Sequence, residues 1–339
     1  MLAPDWLATC SLHAERKYTP MTSTFIKAAE VWVPSNDGSL LEFGAGAFGG
    51  AKRFAAISRS MSFGRGEGLP GRAWDEGQPI LLRQFEDSNF PRTDAARAAG
   101  FTCAIALPLF MRDALSAVLV FFCGHDPAQA SALELWHHDA RITTDMTLVD
   151  GAYGPNAQPF ESISHETYLP RGVGLPGLAW QRGEALFLED LTSAPGRFLR
   201  AEQAAEAGMQ RGLAIPVGSR LEDGHVVTFL SGAKLPLAQR IERWAPDDAK
   251  AKLHRVYAFS ELHGGRSLAL AELPMSPAAT GSIGSIAKAW ASGVPAINGQ
   301  PAAEGGAPAA AAAVVGSTVL LAIPVVWEGA VVEVVALYL

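Results

Sequence analysis

The sequence predicts an α+β protein of three tandem domains, each a central antiparallel sheet flanked by helices. Three observations carry that expectation. The first is a recurring loop, GLPGRAWDEGQP at 68–79, GLPGLAWQRGEA at 174–185 and GSIAKAWASGVP at 284–295, in which the leading Gly, the Ala-Trp pair and the Gly three residues after the Trp keep their spacing. The second is a strand-like motif, Ala106-Leu-Pro-Leu109, Ala214-Ile-Pro-Val217 and Ala322-Ile-Pro-Val325, whose prolines stand 108 residues apart, as do Gly100, Gly208 and Gly316. A period this long means tandem domains, because solenoid repeats run roughly 20–50 residues. The third is length: 339 residues divide into three units of ordinary domain size. The boundaries are expected at 20–126, 127–234 and 235–339.

The elements follow in order through copy 1. An apolar segment, 25–34, meets a turn, Ser35-Asn-Asp-Gly38, whose residues tolerate positive φ. Segments 40–43 and 53–63 read as strands around a glycine-rich loop at 44–50, and copy 2 echoes this with 151–154 and then 160–168. The repeated loop follows, with a short helix at 71–76 that buries Trp74, and a strand at 80–82. Alanines at helical spacing over 92–99, with Asp94 in the first turn and Gly100 at the C-cap, predict a helix. Glu202 and Gly208 repeat that arrangement. Three β-hairpins come next, 103–110 with 114–123, 212–217 with 225–230, and 319–326 with 330–339. The connecting segments, 127–139 and 235–256, read as largely helical.

Composition bounds the function. Hydrophobic residues at 49% against 18% charged describe a globular chain, and a net charge of −7 with dispersed Lys and Arg argues against nucleic acid as a partner. Cys10, Cys103 and Cys123 form no CxxC pair, so they read as buried free thiols in a reducing compartment. The first 17 residues lack a basic start and apolar run, and a cytoplasmic location is expected. The uncharged stretch 307–327 has the length of a membrane span. Its Gly316 and Pro324 fall on the repeat register, however, so it is expected to be a helix and a strand, with no membrane partner. His137-His138 reads as a solvated helix face, and no spacing suggests a metal cluster or a catalytic triad.

The GxGLPGxAW loop, the Phe90-Pro-Arg92 helix start and the Gly-x5-Ala-Leu/Ile-Pro-Val/Leu strand resemble the GAF domain, closely in copies 1 and 2 and more loosely in copy 3. The loops also resemble the sensor region of plant nitrate-responsive RWP-RK transcription factors, without a following basic segment. The GAF resemblance implies a six-stranded antiparallel sheet with a ligand pocket between the sheet and the helices on one face. It also implies a sensor of a small molecule, or a module that dimerises or binds another protein. The glycines and tryptophans of the loop, Gly68, Trp74, Gly174, Trp180, Gly284 and Trp290, read as structural.

The site candidates are Arg92 and Arg200, which share a register, follow Phe90 and Phe198, and begin a helix. An Arg there adds its donors to free backbone N–H groups and suits a carboxylate, nitrate or phosphate. Arg65 and Arg171, just before the glycine loops, are expected to face the same cavity. Copy 3 has Pro308 in that register and is expected to be structural or dimerising. Neither the Asn-Lys-Phe-Asp-Glu set of cyclic-nucleotide members nor the cysteines of free methionine sulfoxide reductases are present, and Cys123-Gly-His125 departs from the bilin-attachment context. The leading expectation is a sensory protein with a small, anionic or planar ligand in copy 1 or 2, no catalytic residues and no identified cofactor. An interaction scaffold is the alternative, and a small-molecule enzyme the third reading.

Overall fold

In the computed structural model, residues 23–339 are described apart from 87, 89, 194, 195, 221, 222, 264, 267–269 and 276–283. Copy 1 supplies β1 (Ile26–Pro34), β2 (Leu41–Ala47), α1 (Lys52–Ser58), β3 (Ser62–Phe63), α2 (Gly68–Glu76), β4 (Ile80–Leu82), α3 (Thr93–Ala98), β5 (Cys103–Met111) and β6 (Ala114–Cys123). Copy 2 repeats the order with β7 (Ser131–Asp139), β8 (Asp145–Tyr153), α4 (Gln158–His165), β9 (Tyr168–Pro170), α5 (Gly174–Arg182), β10 (Leu186–Leu188), α6 (Ala201–Ala207), β11 (Arg211–Arg220) and β12 (Asp223–Ser231). Copy 3 has β13 (Arg240–Pro246), β14 (Lys252–Ser260), β15 (Gly265–Arg266), β16 (Glu272–Pro274), α7 (Ser285–Ser292), β17 (Ala296–Asn298), α8 (Gly306–Val315), β18 (Leu320–Trp327) and β19 (Ala330–Tyr338). The stretch suspected of spanning a membrane is α8 followed by β18, and among the described residues no helix is long and apolar enough to cross one.

The three sheets share one strand order: β3-β2-β1-β6-β5-β4, β9-β8-β7-β12-β11-β10 and β15-β14-β13-β19-β18-β17, with β16 added beside β14. Every pairing is antiparallel, and the first strand of each copy sits at the sheet centre against the last. Each sheet is covered on both faces. Its helix side encloses a core of its own, with Trp32, Phe54 and Phe122 in copy 1, Trp136, Phe160 and Phe198 in copy 2, where Trp327 of copy 3 also packs, and Trp244, Ile286 and Tyr338 in copy 3. The opposite sides of all three sheets meet in one common core that includes Phe121, Phe229 and Ile323. The Phe121 and Phe229 rings meet edge to face at 5.2 Å, and Phe187 meets Phe259 at 5.3 Å.

This double burial explains where sequence patterning misleads. Segments 127–139 and 235–256 carry the central strands β7 and β13 and the start of β14, where helix is expected from the sequence. A strand buried on both faces loses the apolar-polar alternation that identifies it, and eight of the nine residues of β7 are buried. Conversely, much of 53–63 and 160–168, expected as strand, is helix: α1 and α4 precede the short strands β3 and β9. In each, one face carries the buried residues, Phe54, Ala55 and Ser58 in α1 and Phe160 and Ser164 in α4. Cys103 and Cys123 are buried free thiols opposite one another on β5 and β6, while Cys10 lies outside the described residues. His137-His138 lies on β7, not on a helix: the His138 ring lies tilted against Trp180 at 4.0 Å, and His137 is stacked on His225 at 4.2 Å.

The recurring loop is a helix start packed against incoming backbone. A side chain on Gly71 would collide with the Gly64 carbonyl, and one on Gly177 would come within 2.6 Å of the Pro170 oxygen. Copy 3 has Ala287 in that place. Gly177→Ala should therefore cost about 1–3 kcal/mol, the usual penalty for forcing atoms into a filled space. A thermal melt of the variant checks this, and an unchanged midpoint would show that the loop yields without cost.

Candidate functional site

Period-2 geometry places Ala28, Glu30 and Trp32 of β1 on one face of the strand, the helix-facing one to which Ala28 and Trp32 belong. Glu30 is fully buried there. The same Glu-x-Trp recurs as Glu134-Leu-Trp136 on β7 and Glu242-Arg-Trp244 on β13, each glutamate fully buried and each accepting the indole N–H two residues on, at 3.1, 3.0 and 3.0 Å. An ionised carboxylate in such a place demands a cation, and the copies provide it in two ways.

In copies 1 and 2 the cation is the predicted arginine. Arg92, at the start of α3, is 2% exposed and grips Glu30 with both terminal nitrogens, at 2.5 and 3.1 Å, while also donating to Ser58. Arg200, at the start of α6, holds Glu134 at 2.5 and 2.9 Å and donates to Ser164. The two serines, on α1 and α4, pass their own protons to the Phe54 and Phe160 carbonyls. Each guanidinium is also sandwiched by rings, Arg92 at 4.4 Å from Phe54 and Arg200 at 4.6 Å from Phe160. Burial pushes the Glu134 carboxyl up, but Arg200, helped by Trp136 and by Tyr153 at 2.9 Å, more than offsets it and holds it below the ordinary carboxylate value. Burial and the Glu134 charge raise the Tyr153 phenol far above its usual value, so it stays a donor.

Arg65 and Arg171 are elsewhere. Both are exposed, their guanidinium groups lying over Trp74 at 5.1 Å and Trp180 at 5.8 Å, and they share no partner with Arg92 or Arg200. Trp74 and Trp180 are buried, whereas Trp290 is half-buried. Gly68 and Gly174 adopt positive φ at the start of α2 and α5, while Gly284 has φ −64°.

In copy 3 Pro308 is buried within α8, and the cation comes from the sheet instead. Arg240 and Arg255 both bind Glu242 through the same oxygen, at 2.7 and 3.0 Å, and the Tyr338 phenol donates to the other at 3.1 Å. One carboxylate thus accepts from two guanidinium groups. A groove of about 520 Å³ lies over it between the sheet and α8, bordered by Arg240, Arg255 and Ser260 on one side and by Leu270, Ala310 and Val314 on the other. Among the described residues, no group of three or more His, Cys, Asp or Glu side chains is placed to hold a metal.

The Glu-x-Trp motif is the feature that sequence reading missed. Its signal was present, since the three copies stand 104 and 108 residues apart near the landmark period, but it fell in segments read as apolar strand or connecting helix.

Residues 21–138 match the family model of the GAF domain. Among solved structures the chain is similar to the nlh2 GAF domain of A. aeolicus in an inactive state, at 16% identity over 30% of this chain and 59% of that one, TM-score 0.25. It is also similar to NreA of Staphylococcus aureus mutated in its nitrate-binding site, at 17% identity over 29% and 73%, TM-score 0.25, and to the free methionine sulfoxide reductase fRMsr of S. aureus in complex with its substrate, at 18% identity over 29% and 56%, TM-score 0.23. The first two of the structures matched are spanned over little more than half their length, 59% and 54%. No curated protein matches the chain. The GAF match covers residues 21–138, and the three similar antiparallel sheets on one strand order are consistent with three tandem GAF-like domains.

Proposed function

We propose that the protein is a sensory or regulatory module that binds a small anionic molecule with an apolar body, and that copy 3 is the binding copy. The observation that supports this is the groove over Glu242, with Arg240 and Arg255 on its floor and alanine, valine and leucine side chains on its walls. In copies 1 and 2, by contrast, Glu30 and Glu134 already supply the anion to Arg92 and Arg200, and aromatic rings close around each guanidinium. A ligand at those arginines would have to displace a buried carboxylate. Sensory ligand binding is a common use of GAF domains, which gives the reading its class.

A second reading keeps the ligand in copy 1. A groove of about 370 Å³ between α1 and α3 is lined by Lys27, Lys52 and Arg53 beside Phe54 and Phe101. Straight-chain carboxylates from acetate to hexanoate separate the two readings by calorimetric titration. For the copy 3 groove, affinity should rise about fourfold per added CH2, the value of roughly 0.8 kcal/mol per buried methylene. Ala310→Trp, at an exposed position of α8, should abolish it. Binding that survives Ala310→Trp but is lost in a Lys52→Gln/Arg53→Gln variant would move the site to copy 1, and absence of binding by any of these acids would sink both.

A further inference from the structure

Strands β5 and β6 set Cys103 and Cys123 directly opposite one another at the end of their ladder. Directly opposed residues of an antiparallel pair stand about 4.5–5.5 Å apart between Cα atoms, inside the range of about 4.4–6.8 Å that a disulfide spans. Both thiols are fully buried and face the common core. The same ladder position in copy 2 holds Arg211 and Ser231, so strand pairing does not itself require two thiols there.

A cysteine buried among apolar groups alone is inert, and Cys103 is not of that kind. His125 Nε2 lies 3.7 Å from its Sγ, and the other ring nitrogen lies 2.8 Å from Ser131 Oγ. The imidazole is held in place by the backbone N–H of His125, which donates to Thr102 Oγ1 at 2.9 Å, and by the Phe25 ring at 5.3 Å. Because His125 is half-buried, a side chain that reaches the surface touches a thiol that does not. The Cys123 thiol, donating toward Cys103 and helped by His125, outweighs burial and holds Cys103 below the ordinary thiol value, whereas burial pushes Cys123 up. Lys27 is the cation beside Cys123, and Asp126 lies near Lys27. The cluster stands at a junction of copies: Ser131 opens β7 of copy 2, and the Phe25 N–H donates to the Pro236 carbonyl at the start of copy 3, at 2.8 Å.

We propose that Cys103 and Cys123 are an oxidation site for small hydroperoxides, with Cys103 as the attacking sulfur, His125 as its base and Cys123 as the resolving thiol. Ser131 Oγ accepts from Nδ1–H and so leaves Nε2 free to take the Cys103 proton. The Cys103 thiolate attacks one peroxide oxygen: the S–O bond forms, the O–O bond breaks, and the other oxygen departs as water or an alcohol with the proton that His125 holds. The sulfur is thereby oxidised by two electrons to a sulfenic acid, and the peroxide is reduced by two. The Cys123 sulfur then attacks that of Cys103. The S–S bond forms as the S–O bond breaks, and the departing hydroxide leaves as water with the Cys123 proton. The site is independent of the copy 3 groove.

The test treats the reduced full chain with hydrogen peroxide and maps its cysteines by peptide mass after alkylation. Wild type should yield a Cys103–Cys123 cross-link that dithiothreitol reverses. Cys123→Ala should stop at the sulfenic acid, captured on Cys103 by dimedone, while in Cys103→Ala the remaining Cys123 should stay reduced. His125→Gln should slow oxidation near neutral pH about tenfold, the fall in thiolate fraction that a pKa rise of about one unit brings. It should also move the rise of rate with pH upward, which a mere packing role for His125 would not do. Thiols of folded wild type that survive peroxide sufficient to oxidise the unfolded chain would overturn the proposal, as would a cross-link to Cys10 in place of the expected one. So would equal dimedone capture in the two alanine variants, or a His125→Gln rate profile identical to wild type. Should a variant fail to fold, as a thermal melt would show, the wild-type map decides alone.

Discussion

Arg200→Ala should destabilise the protein by about 3–5 kcal/mol, the cost of leaving a buried charge without its partner. Glu134 is fully buried, and Arg200 contributes two of the bonds to its oxygens. Truncation strands the carboxylate among Trp136, Phe160 and Phe198 and also removes the donor to Ser164. The double variant Glu134→Leu/Arg200→Met should recover most of the loss, because a buried ion pair replaced by apolar groups of similar volume is often neutral. Urea unfolding followed by tryptophan fluorescence measures both. A single variant as stable as wild type would mean that Glu134 is protonated in the fold. The pH dependence gives an independent check. A carboxylate held below its ordinary value stabilises the fold above the unfolded pKa, about 4.3 for Glu, and that contribution is lost as pH falls through the depressed folded value. Acidification should therefore cost wild type more than the double variant.

Trp180→Ala should cost about 3–5 kcal/mol by the large-to-small rule for aromatic residues. The side chain is 3% exposed, meets the His138 ring at 4.0 Å and belongs to the core that α5 closes over the copy 2 sheet. Trp290, its counterpart in copy 3, is only half-buried, so Trp290→Ala should cost less. Paired thermal melts read the contrast. Equal losses would show that the repeated tryptophan does the same structural task in all three copies, and no loss at Trp180 would make it a surface feature.

Much of the architecture was legible because its landmarks are local. A left-handed C-cap selects glycine wherever it occurs, so Gly208 and Gly316, and Gly100 one residue beyond α3, mark the ends of α6, α8 and α3. The hairpins β5–β6, β11–β12 and β18–β19 were visible from their apolar runs and polar turns. The central strands β7 and β13 were hidden because burial on both faces erases alternation. Arg92 and Arg200 were legible as equivalent, special residues. Their partners were not, since Glu30 lies 62 residues from Arg92 and Glu134 lies 66 from Arg200.

The sequence by itself determined the three copies, their order and the α+β class, because repeated local chemistry survives in one dimension. Only the tertiary structure decided that the two helix-start arginines turn inward to a buried carboxylate, that copy 3 draws its cations from the sheet, and that Trp327 and Met111 pack over Gly183 and Gly293 of neighbouring copies. Each of these depends on which distant side chain arrives at a given point in space. That is set by sheet order and by the packing of three sheets on one another, neither of which leaves a periodic trace along the chain.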